Sequence, residues 1–528
     1  MFRAVKRTSY KPKNDQKGVS MNKPAHLEPQ DRYNMELLSN VHPGDWKNPK
    51  PRPCYDFVVI GGGTAGLVAA AGASGLGAKV ALIEKNLLGG DCLNVGCVPS
   101  KSLIRSSRAY AEVRDAPAYG IRVPQGVEVD FSEVMERMRK LRARIARHDS
   151  ARRFRDLGID VFLGKGRFSG EKSIDVSGKQ LHFKKALIAT GARAIGLPIK
   201  GLTEAGYLTN ETIFSLTERP TRLAVIGGGP LGCELAQAFQ RLGSSVTVIE
   251  ILPKLLGPED EDASTVVARA LEKDGIRVIL NATITEIKKE KGVKKILVCE
   301  NGKEHVVLAD EILLGAGRAP NVESLDLEVA GVEYDLRKGI LVNDRLQTTN
   351  PDVFAAGDVC LKYKFTHMAD ASARIVIQNA LFSGRKKISA LTIPWCTYTD
   401  PEVAHVGMTE KDIKEKGLNI KTIMIPFNEV DRAILDGEED GFLKVYIKKG
   451  SDKILGATIV ARHAGEMIGE IALAISAKVG LKKLATVIHP YPTQAEAIKK
   501  AADEYNRLRL TPFTKRLLLW WMKWSLRK

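Results

Sequence analysis

Cysteine is scarce in this chain. Seven residues in 528 (Cys54, Cys92, Cys97, Cys233, Cys299, Cys360 and Cys396) are too few and too scattered to build an extracellular disulfide framework, so a reducing, cytoplasmic setting is expected. Long apolar runs are missing too. Nothing approaches the ~20 consecutive apolar residues a bilayer-spanning helix needs, and the basic N-terminus lacks the apolar core of a secretory signal. Residues 1–14 contain no acid and read most simply as a disordered arm, with a weak organellar signal as the alternative. There is no solenoid-type repeat and no low-complexity tract. The last 24 positions hold no acid and 7 Lys and Arg, while the first 53 hold 11 Lys and Arg against 5 Asp and Glu. The two ends therefore carry +13 of the +18 net charge. The body between them is only mildly basic, which argues against a nucleic-acid partner, since that role wants a basic stripe on the folded surface.

What is present suits a globular α/β protein: 44% apolar residues and 47 glycines, in a chain long enough for three or four domains. Residues 1–53, rich in Lys, Asn and Pro, read as an extended basic leader. The pattern then changes. Residues 55–60 form an apolar run, glycines follow, then a helical stretch, then a second apolar run at 80–83, which together make one βαβ unit. The same unit recurs about 165 residues later, with strands expected at 223–226 and 246–249 and a helix at 235–242. From about residue 389 the texture differs again, with strands expected at 442–447 and 454–460 before a helical stretch at 464–477.

Each βαβ unit carries a glycine fingerprint. The first is Gly61-Gly62-Gly63-Thr64-Ala65-Gly66, directly after its strand, with Glu84 closing the second strand. Glycine permits the tight turn and lets the backbone approach a pyrophosphate seated at a helix N-terminus, and the carboxylate can accept from a ribose diol. The second is Gly227-Gly228-Gly229-Pro230-Leu231-Gly232, closed by Glu250. A negative charge there repels a 2′-phosphate, so NADH is expected over NADPH; Lys254 is the nearest compensating cation.

The segment Gly89-Gly90-Asp91-Cys92-Leu93-Asn94-Val95-Gly96-Cys97-Val98-Pro99-Ser100-Lys101 places two cysteines five residues apart. On an ideal helix they are too far apart and turned away for a disulfide. A bend eased by Asn94 and Gly96 is required, and a following helix would lower a thiolate pKa. Read as residues alone, the segment admits a redox pair, two buried structural thiols, or half a zinc site.

This segment resembles the active site of the class I pyridine nucleotide–disulfide oxidoreductases, the family of dihydrolipoamide dehydrogenase, glutathione reductase and mercuric reductase. Ala189-Thr190-Gly191, Gly315-Ala316-Gly317-Arg318 and Ala356-Gly357-Asp358-Val359 follow in the family's order, and the resemblance covers roughly residues 54–510. It implies an α/β fold with two Rossmann-like dinucleotide-binding domains, for FAD and NAD, plus a C-terminal α+β dimerisation domain. By that resemblance residues 54–195 and 320–388 form a split FAD domain, 196–319 the NAD(P) domain and 389–510 the interface domain of a homodimer, with 511–528 as a basic amphipathic tail. It assigns Gly61, Gly63, Gly66, Glu84, Lys101, Gly166, Thr190, Gly191, Asp358 and Thr366 to FAD, and Gly227, Gly229, Gly232, Glu250 and Gly317 to NAD. Cys97 becomes the sulfur facing the flavin, Cys92 the one that meets substrate, and Lys101 the cation near flavin N5, paired with Glu234. No metal cofactor is implied.

The chain departs from the family's dithiol members in one place. They carry a His five residues ahead of a Glu as an acid–base couple contributed by the partner subunit. Here Glu496 is preceded at that distance by Tyr491, and His489 is displaced by two positions. Tyrosine, with a pKa near 10, shuttles protons poorly at neutral pH, and His489 reads most simply as an interface histidine. Tyrosine there resembles the mercuric reductases, although no cysteine follows Cys396 to supply their C-terminal pair. The expectation is an NAD(P)H-dependent, mercuric-reductase-like enzyme acting on a small disulfide or thiol-bound metal. A dihydrolipoamide dehydrogenase-type enzyme and a non-enzymatic flavoprotein redox sensor are the alternatives. The aromatic, cationic stretch at 515–524 is expected to pack on the dimer or fray, with weak contact to an anionic membrane surface as the second reading.

Overall fold

The apolar run Tyr55–Ile60 has almost no surface because parallel strands flank it on both sides. A computed structural model of the chain describes residues 27–527, so the expected arm at 1–14 lies outside the described residues. In the first sheet the strands Asp160–Leu163, Val80–Glu84, Tyr55–Ile60 and Lys179–Ile188 run parallel in that order. Val353–Ala355 returns from far along the chain to pair with the end of Lys179–Ile188. An antiparallel meander, Gly166–Gly170 and Ser173–Val176, extends the sheet. Helices Thr64–Gly75 and Thr366–Leu381 cover one face, and Gly72 lets them close, since a Cβ there would meet Ile377. Buried on both faces, the parallel strands read as continuous Val/Ile/Leu runs.

The second sheet repeats the scheme with Arg277–Ile279, Ser245–Ile249, Arg222–Ile226 and Glu311–Leu314, all parallel. A separate antiparallel sheet, Ala282–Glu290, Val293–Glu300 and Lys303–Ala309, accompanies it. Two short antiparallel strands, Ala192–Ala194 and Arg318–Pro320, carry the chain out of the first unit and back. The third unit is a five-stranded antiparallel sheet in the order Pro394–Thr397, Glu402–Gly407, Ile454–Ala461, Phe442–Lys448, Ile420–Pro426. Helices Ala464–Ser476 and Glu496–Leu508 pack upon it. The chain is thus an α/β protein with two Rossmann-like units and a third α+β unit.

The expectation of an extended leader fails over much of residues 27–53. Asp31 caps a helix, Arg32–Val41, by accepting from the backbone of Tyr33 and Asn34. Leu37 and Val41 enter the same core as Phe57 and Leu82. Arg142 donates to Asn34 Oδ1 at 2.6 Å, and Arg139 is paired with Asp31. Downstream, Trp46 Nε1 donates to the Val161 carbonyl and Asn48 exchanges hydrogen bonds with Leu163. Five prolines and scattered polar residues give this stretch the look of a linker, but Leu37 and Val41 share one helical face, and that face decides its structure.

Candidate redox site

The cysteine segment is held directly against the first glycine turn. The Gly89 N–H donates to the Gly62 carbonyl at 2.8 Å. Gly90 (φ +57°) packs on Gly63 so closely that a Cβ would sit 2.7 Å from the Gly63 Cα. A short helix, Gly90–Val95, carries Cys92. Gly96, at φ −136° and ψ −115°, breaks it, and a second helix, Cys97–Asp115, starts at the other cysteine. A Cβ on Gly96 would lie 2.8 Å from the Asp91 carbonyl oxygen, so the bend requires glycine. The carbonyls stranded at the break are taken by side chains: Arg142 donates to Asn94 O at 2.7 Å and Asn210 to Val95 O at 3.2 Å.

This geometry sets Cys92 and Cys97 side by side, close enough to act on one another's protons. The Cys92 thiol donates to Cys97 and lowers the Cys97 pKa to about 6, with Thr366 and the Lys101 charge acting in the same direction. The Cys92 pKa is pushed up, first by that hydrogen bond and then by burial. Cys97 Sγ lies 3.3 Å from Thr366 Oγ1 and occupies a helix N-terminus, where negative charge is favoured.

Lys101, one turn along the same helix, reaches the buried Glu234 on the second fingerprint helix, Pro230–Arg241, at 2.7 Å. The other Glu234 oxygen accepts from the Tyr398 backbone at 2.9 Å, while the Tyr398 ring lies 4.5 Å from the ammonium. All three units therefore meet at one cation. Tyr398 is a site neighbour that the sequence did not flag, because an isolated tyrosine after a strand carries no motif.

Both glycine fingerprints close in the same way. Gly62 N–H donates to Glu84 Oε2 at 2.6 Å and Gly228 N–H to Glu250 Oε2 at 2.5 Å. The second oxygen of each carboxylate accepts from the backbone two residues on, at Asn86 and Leu252. A side chain on Gly66 or Gly232 would collide with the carbonyl of Gly61 or Gly227. Neither Gly63 nor Gly229 provides a side-chain cap for the helix it begins, and no acid occupies either first turn, so both helices present free N–H groups. Lys254 is committed to the Glu259 carbonyl.

Among the other expected positions, the Asp358 carboxyl is half-buried, and its partial desolvation holds it above the usual carboxylate range. Its ionic neighbour is Arg318, 3.8 Å away, which also pairs with Asp91. Thr190 and Gly191 mark the crossover, where Thr190 Oγ1 donates to the Asn321 carbonyl at 2.7 Å. Gly191 adopts φ +69° with open space where a Cβ would stand. Gly166 packs against Ile83 and Ile60 within the core. A Cβ on Gly317 would meet only Ile195, whereas Gly315 is the member of its turn that touches Gly227 and Gly232.

Tyr491 and Glu496 are not joined to the cysteines by any hydrogen bond within the described chain. Tyr491 is exposed and donates to Asp431 Oδ2 at 2.9 Å, which raises its pKa. Glu496 opens the helix Glu496–Leu508, and its Oε2 is buried without a hydrogen-bond partner. His489 is buried, with Nε2 3.1 Å from Glu470. No cluster of metal-ligating side chains occurs among the described residues.

A pair of cysteines bent onto a dinucleotide turn, with a second such turn one helix away, defines a flavoprotein disulfide oxidoreductase by fold and site. Residues 55–373 match the model for pyridine nucleotide-disulphide oxidoreductase, and residues 393–502 match that family's dimerisation domain. The chain belongs to this family, whose members bind FAD and use NAD(P)H. It is 36% identical over 453 residues to a mercuric reductase of Lysinibacillus sphaericus, covering 86% of this chain and 83% of that one. It is 33% identical over 461 residues to a dihydrolipoyl dehydrogenase of Thermus scotoductus, covering 86% and 98%. Among solved structures it resembles the Cu(II) complex of the HOCl-induced flavoprotein disulfide reductase RclA from Escherichia coli, with TM-score 0.77, 28% identity and coverage of 86% and 100%.

The residues present fit FAD. The helix Thr64–Gly75 with no side-chain cap at Gly63, the anchored Glu84 and the half-buried Asp358 carboxyl, whose ionic neighbour is Arg318, are the donors and acceptors a flavin dinucleotide needs.

Proposed function

We propose that this protein is a homodimeric oxidoreductase that uses NADH to keep Cys92 and Cys97 as a dithiol and spends that dithiol on a small disulfide or a thiol-bound soft metal ion. FAD, held by Gly61, Gly63, Gly66, Glu84 and Asp358, supplies hydride acceptance and two-electron delivery to sulfur. Cys97, the low-pKa member, rests as a thiolate beside Thr366. Lys101 places positive charge next to it, and Glu234 and Tyr398 fix where that charge stands. Cys92 passes its proton to the Cys97 thiolate and attacks the acceptor's sulfur; the departing sulfur takes that proton from Cys97 and leaves as one thiol. The Cys97 thiolate then displaces the second thiol and closes the Cys92–Cys97 disulfide, so two electrons leave for every disulfide cleaved.

The observation that carries this reading is the cysteine pair that the Gly96 break folds onto the first glycine turn, with Cys97 opening a helix 3.3 Å from Thr366 Oγ1. A thiolate pair also suits a soft metal. The exposed Tyr491, hydrogen-bonded to Asp431, offers little acid–base service at neutral pH, which favours a mercuric-reductase-like acceptor over dihydrolipoamide. Glu250, without a free cation beside it, favours NADH.

Anaerobic titration with NADH tests the proposal. Two new thiols per chain and a long-wavelength thiolate–flavin absorption band are expected, both lost in Cys92→Ser/Cys97→Ser. Flavin bleaching with no thiol gain would instead mark a redox sensor. NADH oxidation driven by Hg(II) in excess thiol, set against oxidation driven by lipoamide and glutathione disulfide, then separates the acceptors.

A further inference from the structure

The helix Pro512–Ser525 lies beyond the region matched to the dimerisation domain. Thr511 caps it, accepting from the Thr514 backbone, and Pro512 occupies its first turn. None of its residues is buried, although Phe513, Leu517, Leu518, Leu519, Trp520, Trp521, Met522 and Trp524 are all apolar. Three of the chain's five tryptophans stand here, 62%, 56% and 60% exposed.

Helical spacing sorts these side chains. Phe513, Leu517, Trp520, Trp521 and Trp524 share one wide side of the helix, while Lys515, Arg516 and Lys523 gather on the other. Residues 505–528 hold seven Lys and Arg and no Asp or Glu. We propose that this helix is an interfacial anchor that lays the enzyme on an anionic phospholipid surface.

Three observations choose that occupant. The charge is of one sign and complements anionic headgroups. Clustered tryptophans suit the boundary between headgroup and acyl chain. At 14 residues the helix is about 21 Å long, short of the ~30 Å hydrocarbon core, so it lies in the interface plane with its cations turned to the headgroups and its wide apolar side inward. Consistent with this, no described helix is long and apolar enough to cross a membrane. The inference stands whichever acceptor the redox site takes. In a homodimer two such helices would act together and strengthen attachment by avidity.

Sedimentation of the FAD-loaded full chain with vesicles tests it, using neutral phosphatidylcholine, phosphatidylcholine with phosphatidylglycerol, and soluble heparin as a competing polyanion. The expected result is binding to the anionic vesicles, weakened by salt, with tryptophan emission quenched by brominated acyl chains. Deleting residues 511–528 should abolish binding and leave NADH turnover unchanged, and Arg516→Glu/Lys523→Glu should lower partitioning by roughly 30-fold or more. Equal partitioning of full and truncated chains would overturn the proposal. So would heparin binding without bromolipid quenching, or a fall to monomers on truncation, which would make the helix a subunit contact.

Discussion

Lys101 Nζ and Glu234 Oε2 stand 2.7 Å apart, and this ion pair joins the helix that begins at Cys97 to the helix of the second glycine turn. Glu234 is buried and Lys101 only partly so, so the carboxylate fixes the position of the charge. Its effect on the nearby sulfur is directional: the ammonium lowers the Cys97 pKa while Glu234 raises it.

Replacing the pair should therefore be legible in a titration. In Lys101→Met/Glu234→Gln, which leaves no orphaned buried charge, the fingerprint helix keeps its packing but Cys97 loses its cation. Thiolate absorbance near 240 nm in the reduced enzyme should rise at a higher pH than the wild-type transition near 6, and turnover should fall by about 100-fold. An unchanged transition would mean the cation does not act on the sulfur.

Glu250 should govern the choice of nicotinamide nucleotide. The wild type is expected to prefer NADH in kcat/KM. Glu250→Gln, which keeps an acceptor for the Gly228 or Leu252 N–H while removing the charge, should raise kcat/KM for NADPH by about tenfold relative to NADH. A wild type already preferring NADPH would show that the carboxylate is not the discriminator.

Tyr491 separates the two halves of the catalytic cycle. Tyr491→Phe should leave NADH-driven formation of the dithiol untouched, because no contact joins this side chain to the cysteines of its own chain. Tyr491→His should bring an imidazole that titrates near neutrality and raise turnover of small disulfides several-fold, with a new limb in the pH profile around 6.5. Slower dithiol formation in either variant would place this residue in the wrong half-reaction.

Glu259 offers a stability test at the seam between the second and third units. Its carboxyl is buried, its Oε1 accepts from Trp395 Nε1 at 2.5 Å, and its Oε2 has no hydrogen-bond partner. Burial lifts its pKa to about 7. A carboxyl whose pKa is higher folded than unfolded favours the fold at low pH, and that contribution is lost as pH climbs from about 4.5 to 7. Glu259→Gln should match the wild type in Tm at pH 5 and exceed it by about 2 °C or more at pH 8. Equal Tm differences at both values would contradict the assignment.

Much of this was legible in the sequence, and the parts that were not share a cause. The expected strands at 55–60, 223–226 and 442–447 fall within or one residue short of the observed ones, because parallel and core strands announce themselves as apolar runs. The bend between Cys92 and Cys97 was readable from Gly96, whose Cβ has no room. The Arg32–Val41 helix was hidden because only Leu37 and Val41 among its apolar residues are fully buried, in a stretch whose bulk composition is that of a linker. The three-stranded sheet formed by Ala282–Glu290, Val293–Glu300 and Lys303–Ala309 was hidden by its own lysines and glutamates, since one face meets solvent. Tyr398, Asp91 with Arg318, and the capture of stranded carbonyls by Arg142 and Asn210 are long-range pairings that no local pattern encodes.

The helix Arg32–Val41 also bears on where this protein can safely be cut. Starting a recombinant version at residue 55, where the family match begins, would strip Leu37 and Val41 from the packing around Phe57 and Leu82 and leave Arg142 without its Asn34 acceptor. Arg142 is the same side chain that holds the Asn94 carbonyl at the break between the two sulfurs. A tidy-looking truncation far upstream would thus reach the cysteine loop itself through a single guanidinium.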